Sequence, residues 1–292
     1  MIAAHELGQP VTVATAALAR AVALQQNADG TWPAFPYRPP SSHSPFTFTA
    51  LGLRSIQLYG HANLKADTAA RVARGRAWLQ SHSAPETEDR TYQLLGLWWA
   101  GAGRDVLAPL ARALAKTQQA DGGWNSLAGR ASDAYSTGEA LIALHDAGEL
   151  STADQVWRRG AEFLLRTQVA DGTWHVPTRL PSWVNPPYFE SGYPYKRDQF
   201  ISAAGANRSL RALSTVMFGS AADLTRLLDD GLSPNAATAS GRTSLLMMVV
   251  PDSEKTRLLI ERGPTSTRCP DADIRRCWSR RSTPAPPTRF AP

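Results

Sequence analysis

One seven-residue phrase occurs three times in this chain of 292 residues. The copies run from Gln26 to Trp32, from Gln118 to Trp124 and from Gln168 to Trp174, and all share Gln, Ala, Asp, Gly and Trp in register. The first two copies begin 92 residues apart and the last two 50 residues apart, so a period near 46 predicts an eroded copy between the first two. At the expected position, the sequence from Ala77 to His82 is similar to the sequence from Phe163 to Gln168, which leads into the third copy. Self-similarity at a fixed spacing is typical of repeat architectures.

Each phrase follows a stretch of apolar residues at helical spacing. Before the third copy, Trp157, Ala161 and Leu164 fall on one stripe of a helix. Asp-Gly is expected to end that helix, because Asp bonds its own backbone and Gly accepts a positive φ. The Trp is large enough to fill the gap between consecutive helices, and the Gln amide can bridge backbone groups at helix ends. The residues assigned this structural role are Gln26, Asp29, Gly30, Trp32, Gln118, Asp121, Gly122, Trp124, Gln168, Asp171, Gly172 and Trp174.

The apolar spacing predicts eight helices in four hairpins, and therefore an all-α fold. The predicted pairs are 11–26 with 46–59, 67–82 with 90–100, 107–119 with 132–147, and 152–168 with 199–214. Two longer loops, 33–45 and 176–196, are rich in Pro and aromatic residues. Loops of this length are either functional or cover helix ends.

Composition narrows the class of protein. A hydrophobic content of 43% and nine Trp residues favour a globular chain. No apolar run of about 18 residues predicts a transmembrane span, and residues 1–9 lack the pattern of a secretory signal, so a cytoplasmic location is the default expectation. The net charge is +6, but residues 264–292 alone carry six Arg and two Asp, so no nucleic-acid partner is predicted.

The chain has only two cysteines, Cys269 and Cys277, and both lie near its C-terminus. Two such residues support neither a disulfide framework nor a zinc cluster. We therefore predict no metal site and no cofactor.

The Gln-to-Trp phrase resembles the repeated motif of the squalene–hopene cyclase and protein prenyltransferase superfamily, whose members form α/α toroids. The resemblance covers roughly residues 14–214, and Gly192-Tyr193-Pro194 is similar to the closing segment before the last inner helix. It implies a partial α/α toroid of about four helical hairpins in residues 1–215, whereas a closed ring of this superfamily has six pairs of helices. Three explanations of the smaller number remain open: the ring is open, it closes through another copy of the chain, or an N-terminal part is missing. The absence of Cys from this region excludes the zinc-dependent prenyl transfer and thioester chemistry of related toroids.

Residues 219–263 resemble the ankyrin repeat. A segment from Ala222 to Gly231 leads to an Asn-bearing turn, then to Gly241-Arg-Thr-Ser-Leu245 and a second segment from Lys255 to Gly263. The resemblance implies ankyrin-like helix pairs that bind a protein partner. Residues 264–292 have no period and few aliphatic residues, which is typical of a disordered tail or of a lost reading frame.

The cyclases that the phrases resemble protonate an alkene with an Asp-x-Asp-Asp segment, and this chain has none. The nearest acids are Glu86, Glu88 and Asp89, which precede a predicted inner helix. Acids at a helix N-terminus are also stabilised by the helix dipole, which needs no catalytic role. Asp133 stands at the corresponding place of another helix, either as an N-cap or as a cavity residue.

A further set of residues either lines a ligand cavity or belongs to the core. The set consists of Trp98, Trp99, Tyr135, His175, Tyr188, Phe189, Tyr193 and Asp198. Two hypotheses follow. The first is a non-catalytic repeat protein, with a terpene cyclase-like toroid and ankyrin repeats, that binds a protein or an apolar, isoprenoid-like ligand. The second is an isoprenoid (squalene or terpene) cyclase-like enzyme with a non-standard acid.

Overall fold

The computed structural model describes residues 1–6, 8–34, 40, 43–180, 193–218, 221–229 and 253–262. These residues are mostly helical, so the prediction of an all-α fold is confirmed. The α-helices are α1 (Ile2–Glu6), α2 (Val13–Leu24), α3 (Pro45–Tyr59), α4 (Lys65–Ser81), α5 (Thr87–Trp99), α6 (Arg104–Ala115), α7 (Ala134–Asp146), α8 (Gln155–Thr167), α9 (Gln199–Phe218), α10 (Ala221–Asp229) and α11 (Ser253–Glu261). Two 3₁₀ turns, Ala62–Leu64 and Lys196–Asp198, precede α4 and α9. A short antiparallel ladder joins β1 (Trp124–Asn125) to β2 (Ser132–Asp133).

Helices α2 to α9 correspond to the eight helices that the sequence predicts, and they pack in two rows. In the central row, α3, α5, α7 and α9 lie side by side in chain order. Outside this row, α4 contacts α3 and α5, α6 contacts α5 and α7, and α8 contacts α7 and α9. Helix α2 packs on α3 at the beginning of the array.

The two middle helices of the central row are covered on nearly every side. Every residue from Ala134 to Leu144 of α7 is buried, and so is every residue from Thr87 to Leu97 of α5 except Arg90. A helix without a solvent-facing stripe must have neighbours all around it. By contrast, α8 buries only one face, which contains the predicted stripe of Trp157, Ala161 and Leu164 together with Gly160 and Phe163.

The three phrases form the same turn. The backbone N–H groups of Thr31, Gly123 and Thr173 each donate to the carboxylate of the phrase Asp, at 2.9–3.0 Å. The phrase glycines have φ of +98°, +90° and +85°. A side chain on Gly122 would place Cβ 2.5 Å from the Arg159 carbonyl oxygen, because the turn packs directly on α8. The phrase therefore requires Gly both for its backbone conformation and for this close approach.

The phrase Gln and Trp join the turn to neighbouring helices. The Gln118 amide donates to the carbonyls of Gly122 and Val156, both at 2.8 Å, and thereby links its own turn to the first turn of α8. Gln26 makes the equivalent pair of bonds to its own turn and to α4. Each indole N–H donates to a carbonyl ten residues earlier, at 2.7–3.1 Å, and all three rings are buried.

The C-terminal part is described only in two segments. Helices α10 and α11 contact each other, Leu224 and Leu259 are buried, and Arg262 pairs with Asp229. The remainder of the predicted ankyrin segment 219–263 and the tail 264–292 lie outside the described residues. Within the described ranges, no helix combines the length and the apolar character needed to cross a membrane.

Candidate functional site

The three acids at the beginning of α5 have three different environments. Glu86 binds Arg179 in a two-point ion pair, with N–O distances of 2.6 and 3.0 Å. Asp89 accepts a hydrogen bond from Ser44 at 2.5 Å and another from the Glu86 backbone N–H at 3.1 Å. Its pKa is raised by burial, although these hydrogen bonds lower it. Glu86 and Asp89 thus fix the beginning of α5.

Glu88 instead points into the central row, where its side chain is buried. Its Oε1 atom accepts a hydrogen bond from Thr47 of α3 at 2.7 Å, and its Oε2 atom accepts one from Tyr135 of α7 at 3.0 Å. One carboxyl group therefore connects three consecutive helices of the row.

A second buried carboxyl group, that of Glu139, lies beside the first. Glu139 is 2% exposed, and its Oε1 atom pairs with Arg208 of α9 at 3.0 Å. Arg208 also donates to the Tyr92 hydroxyl at 2.6 Å, and its guanidinium lies 5.9 and 5.7 Å from the ring centres of Tyr92 and Tyr135. We call Glu88, Tyr92, Tyr135, Glu139 and Arg208 the carboxyl cluster.

The buried carboxyl group of Glu139 favours its neutral form. Burial raises the pKa of Glu139 well above its ordinary value, and the nearby Glu88 raises it further, whereas Arg208 acts in the opposite direction. No donor of the described residues bonds the Glu139 Oε2 atom, so this atom lacks a hydrogen bond that would stabilise a carboxylate. Burial beside Glu88 and pairing with Arg208 thus act on Glu139 in opposite directions.

Asp133 has the role of an N-cap. Its Oδ1 atom accepts a hydrogen bond from the Ser136 backbone N–H at 2.8 Å, and its Oδ2 atom accepts one from the Ser136 hydroxyl at 3.2 Å. Burial raises the pKa of Asp133, and these hydrogen bonds oppose the rise. Asp133 thus positions the first turn of α7, and it does not line the cavity described next.

A cavity of about 480 Å³ lies next to the carboxyl cluster. We call it the central cavity, because α3, α5, α7 and α9 all contribute to its wall and α1 lies at one side. Its apolar wall includes Leu51, Leu95, Trp99, Ile142 and Leu210. Its polar wall includes Tyr92, Glu139 and Arg208. A largely apolar cavity with a few convergent polar groups is typical of small-molecule sites.

The other predicted cavity residues have varied positions. Trp99 lines the central cavity, whereas its neighbour Trp98 is 40% exposed and does not. His175 is about half exposed and lies away from the cavity, where its Nε2 atom is 2.7 Å from an Asp198 carboxylate oxygen. Tyr193 is half-buried near the third phrase. Tyr188 and Phe189 lie outside the described residues.

Four residues of the site are absent from the sequence-based candidates: Thr47, Tyr92, Glu139 and Arg208. The sequence contains a local signal for Tyr92 and Glu139. Tyr92 follows Glu88 by four residues on α5, and Glu139 follows Tyr135 by four residues on α7, so each acid shares a helix face with a tyrosine. No comparable pattern marks Arg208, which reaches Tyr92 from 116 residues away.

The described residues contain no cluster of His, Cys, Asp and Glu that could hold a metal ion. Comparison with protein-family models yields no matching family, and comparison with curated proteins yields no match.

Proposed function

We propose that the chain binds an apolar small molecule in the central cavity. The observation that carries the proposal is the cavity of about 480 Å³ itself, whose apolar wall is formed by successive helices of the central row. Burial of apolar ligand surface against such a wall contributes about 25 cal/mol per Å². The polar groups at one side would orient a ligand, and Arg208 among them is already paired with Glu139.

The proposed ligand class is isoprenoid-like. The support is the resemblance of the phrases to the motif of squalene–hopene cyclase-type α/α toroids, together with alternating central and outer helices. In the same proposal, residues 219–263 form the ankyrin-like segment that binds a protein partner.

Ligand binding can be tested by filling the cavity from its rim. Leu210 lines the cavity and is 45% exposed, so Leu210→Trp can add bulk there without overpacking the core. Leu165 of α8 is 44% exposed and remote from the cavity, which makes Leu165→Trp a matched control. Squalene and short polyprenyl diphosphates serve as probes, with binding followed by the amount of radiolabelled probe that the purified protein retains.

The unmodified protein and Leu165→Trp should bind a probe saturably, and Leu210→Trp should bind it at least tenfold more weakly. Equal affinities in all three proteins would show that the probe binds elsewhere. No saturable binding of any probe would reject the proposed function.

One observation favours a second candidate function, an isoprenoid cyclase-like enzyme. Glu139, whose pKa is raised well above its ordinary value by burial and by the nearby Glu88, lines the apolar cavity. A carboxylic acid kept neutral by burial can donate a proton to a bound substrate. This acid differs from Glu86 and Asp89, whose partners are Arg179 and Ser44.

The enzyme hypothesis predicts cyclic products when the purified protein is incubated with squalene or short polyprenyl diphosphates. Glu139→Gln keeps the shape of the side chain but cannot donate an acidic proton, so it should abolish product formation, as should Glu88→Gln. Glu149→Gln, at a site about 60% exposed on the surface, should leave turnover unchanged. Saturable binding without any product would leave the non-catalytic function and reject the enzyme.

A further inference from the structure

A second cavity, of about 360 Å³, lies on another side of α5. Its wall is formed by the beginning of α5, the end of α6 and the turn that follows β1. Two cationic residues, Arg90 and Lys116, belong to this wall. We call it the basic cavity, and it shares no lining residue with the central cavity.

Arg90 has no counter-charge of its own. The acids that surround it in sequence are occupied elsewhere: Glu86 binds Arg179, Glu88 binds Thr47 and Tyr135, and Asp89 binds Ser44. No ion pair or hydrogen bond joins the Arg90 side chain to another residue of the described ranges. Arg90 is half-buried in the first turn of α5, where the helix dipole disfavours a cation. An external anion bound to Arg90 would compensate both its missing counter-charge and its unfavourable position at the helix N-terminus.

The other charges around the basic cavity leave it positive. Lys116 is the C-cap residue of α6 and forms no ion pair within the described ranges. Glu86 is the only carboxylate among the lining residues, and its charge is balanced by the two-point pair with Arg179. Arg90 and Lys116 therefore give the cavity a net charge of about +2.

The remaining wall is suited to an anion that carries a small organic group. The side-chain amides of Gln119 and Asn125 each donate one N–H to a backbone carbonyl and keep a second N–H for a ligand, whereas the Thr117 hydroxyl already donates to the Leu114 carbonyl. Pro85, Ala128 and the 38%-exposed Leu127 supply an apolar side. An Arg fork, a Lys ammonium and two amide N–H groups together match the many oxygens of a phosphoryl group better than the two oxygens of a carboxylate. The volume exceeds that of a phosphate ion alone.

We propose that the basic cavity binds a phosphate monoester, with Arg90 and Lys116 holding the phosphoryl group and Leu127 contacting the organic group. The site is separate from the central cavity, so it does not depend on the function proposed above.

Phenyl phosphate, inorganic phosphate and benzoate distinguish the parts of this proposal. Calorimetric titration at low ionic strength should give the tightest binding for phenyl phosphate, weaker binding for inorganic phosphate and the weakest for benzoate. Added salt should weaken the binding of all three, because the cavity is open to water and dissolved ions screen the charges of Arg90 and Lys116. Benzoate binding as tightly as phenyl phosphate would show that the apolar group and a single charge suffice, and would overturn the proposal.

Three variants test the residues. Arg90→Gln should raise the Kd for phenyl phosphate at least tenfold, and Lys116→Gln should raise it severalfold. Arg112→Gln is the control, because Arg112 is an exposed cation on α6 that does not line the cavity. Circular dichroism checks that each variant is folded. An equal loss of affinity in Arg90→Gln and Arg112→Gln, or no loss in Arg90→Gln, would overturn the proposal.

Discussion

Replacing Arg208 tests whether the carboxyl cluster is a balanced buried network. Arg208→Met keeps an unbranched apolar stem over the rings of Tyr92 and Tyr135 but removes the cation that pairs with Glu139 at 3.0 Å. The Tyr92 hydroxyl also loses its 2.6 Å donor. Two buried polar groups thus lose a partner in a single substitution.

Removing one partner of a fully buried ion pair costs about 3 to 5 kcal/mol. The Arg208 side chain is 29% exposed, so water screens part of the interaction. We expect the free energy of unfolding to fall by about 2 to 4 kcal/mol, measured by urea denaturation at pH 7 with helical circular dichroism. Arg211→Met is the control, because Arg211 is on the same helix, is 44% exposed and pairs with Asp146 only at 3.6 Å. It should cost no more than about 1 kcal/mol.

A double-mutant cycle separates the network from a loss of packing. Glu139→Gln removes the second acid, so Arg208→Met should cost less in that background. We expect an interaction energy of at least about 1 kcal/mol between the two substitutions. If the two effects add within about 0.5 kcal/mol, or if Arg208→Met costs no more than Arg211→Met, the ion pair of Arg208 with Glu139 does not stabilise the fold.

Three further predictions concern the pKa of Glu139 and the phrase. Because the folded-state pKa of Glu139 is raised, the protein should lose stability relative to Glu139→Gln as pH rises above the ordinary value of 4.5. A stability difference independent of pH between about 4 and 8 would contradict the raised pKa. Gly122→Ala should lower the free energy of unfolding by about 3 kcal/mol or more, because the new Cβ would lie 2.5 Å from a carbonyl oxygen of α8. Gly129→Ala should lower it by only about 1 kcal/mol, because Gly129 has a similar φ of +83° but open space around it. Equal losses of stability in thermal unfolding would show that backbone conformation alone matters. Gln118→Ala removes hydrogen bonds to two backbone carbonyls and should cost about 1 to 2 kcal/mol in urea unfolding, and a loss below about 0.5 kcal/mol would exclude a bridging role.

The sequence predicts the helices well but their first turns less well. Helix α5 begins at Thr87, whereas the sequence predicts its first residue as Arg90. The earlier start is stabilised by the Asp89 carboxylate, which accepts a hydrogen bond from the Glu86 backbone N–H. Helix α8 ends at Thr167, immediately before the phrase. Ends marked by Asp-Gly are predictable because the bonds that make them span only two residues.

The candidate acids show where local reasoning stops. Glu86, Glu88 and Asp89 lie within four positions, yet only Glu88 enters the carboxyl cluster. The direction of each side chain depends on which residue faces it from a distant segment of the chain. For Glu86 that residue is Arg179, 93 positions away, and for Glu88 it is Tyr135, 47 positions away. Neither distance produces a pattern in the sequence.

The sequence by itself determined the helical hairpins and the turns between them, because apolar spacing and Asp-Gly act over a few residues. The pairing of Glu139 with Arg208, the raised pKa of Glu139 and both cavities were decided only by the tertiary structure. A pKa shift requires burial and a close neighbouring charge, and a cavity requires several helices. These conditions are met only when segments far apart in the chain come together.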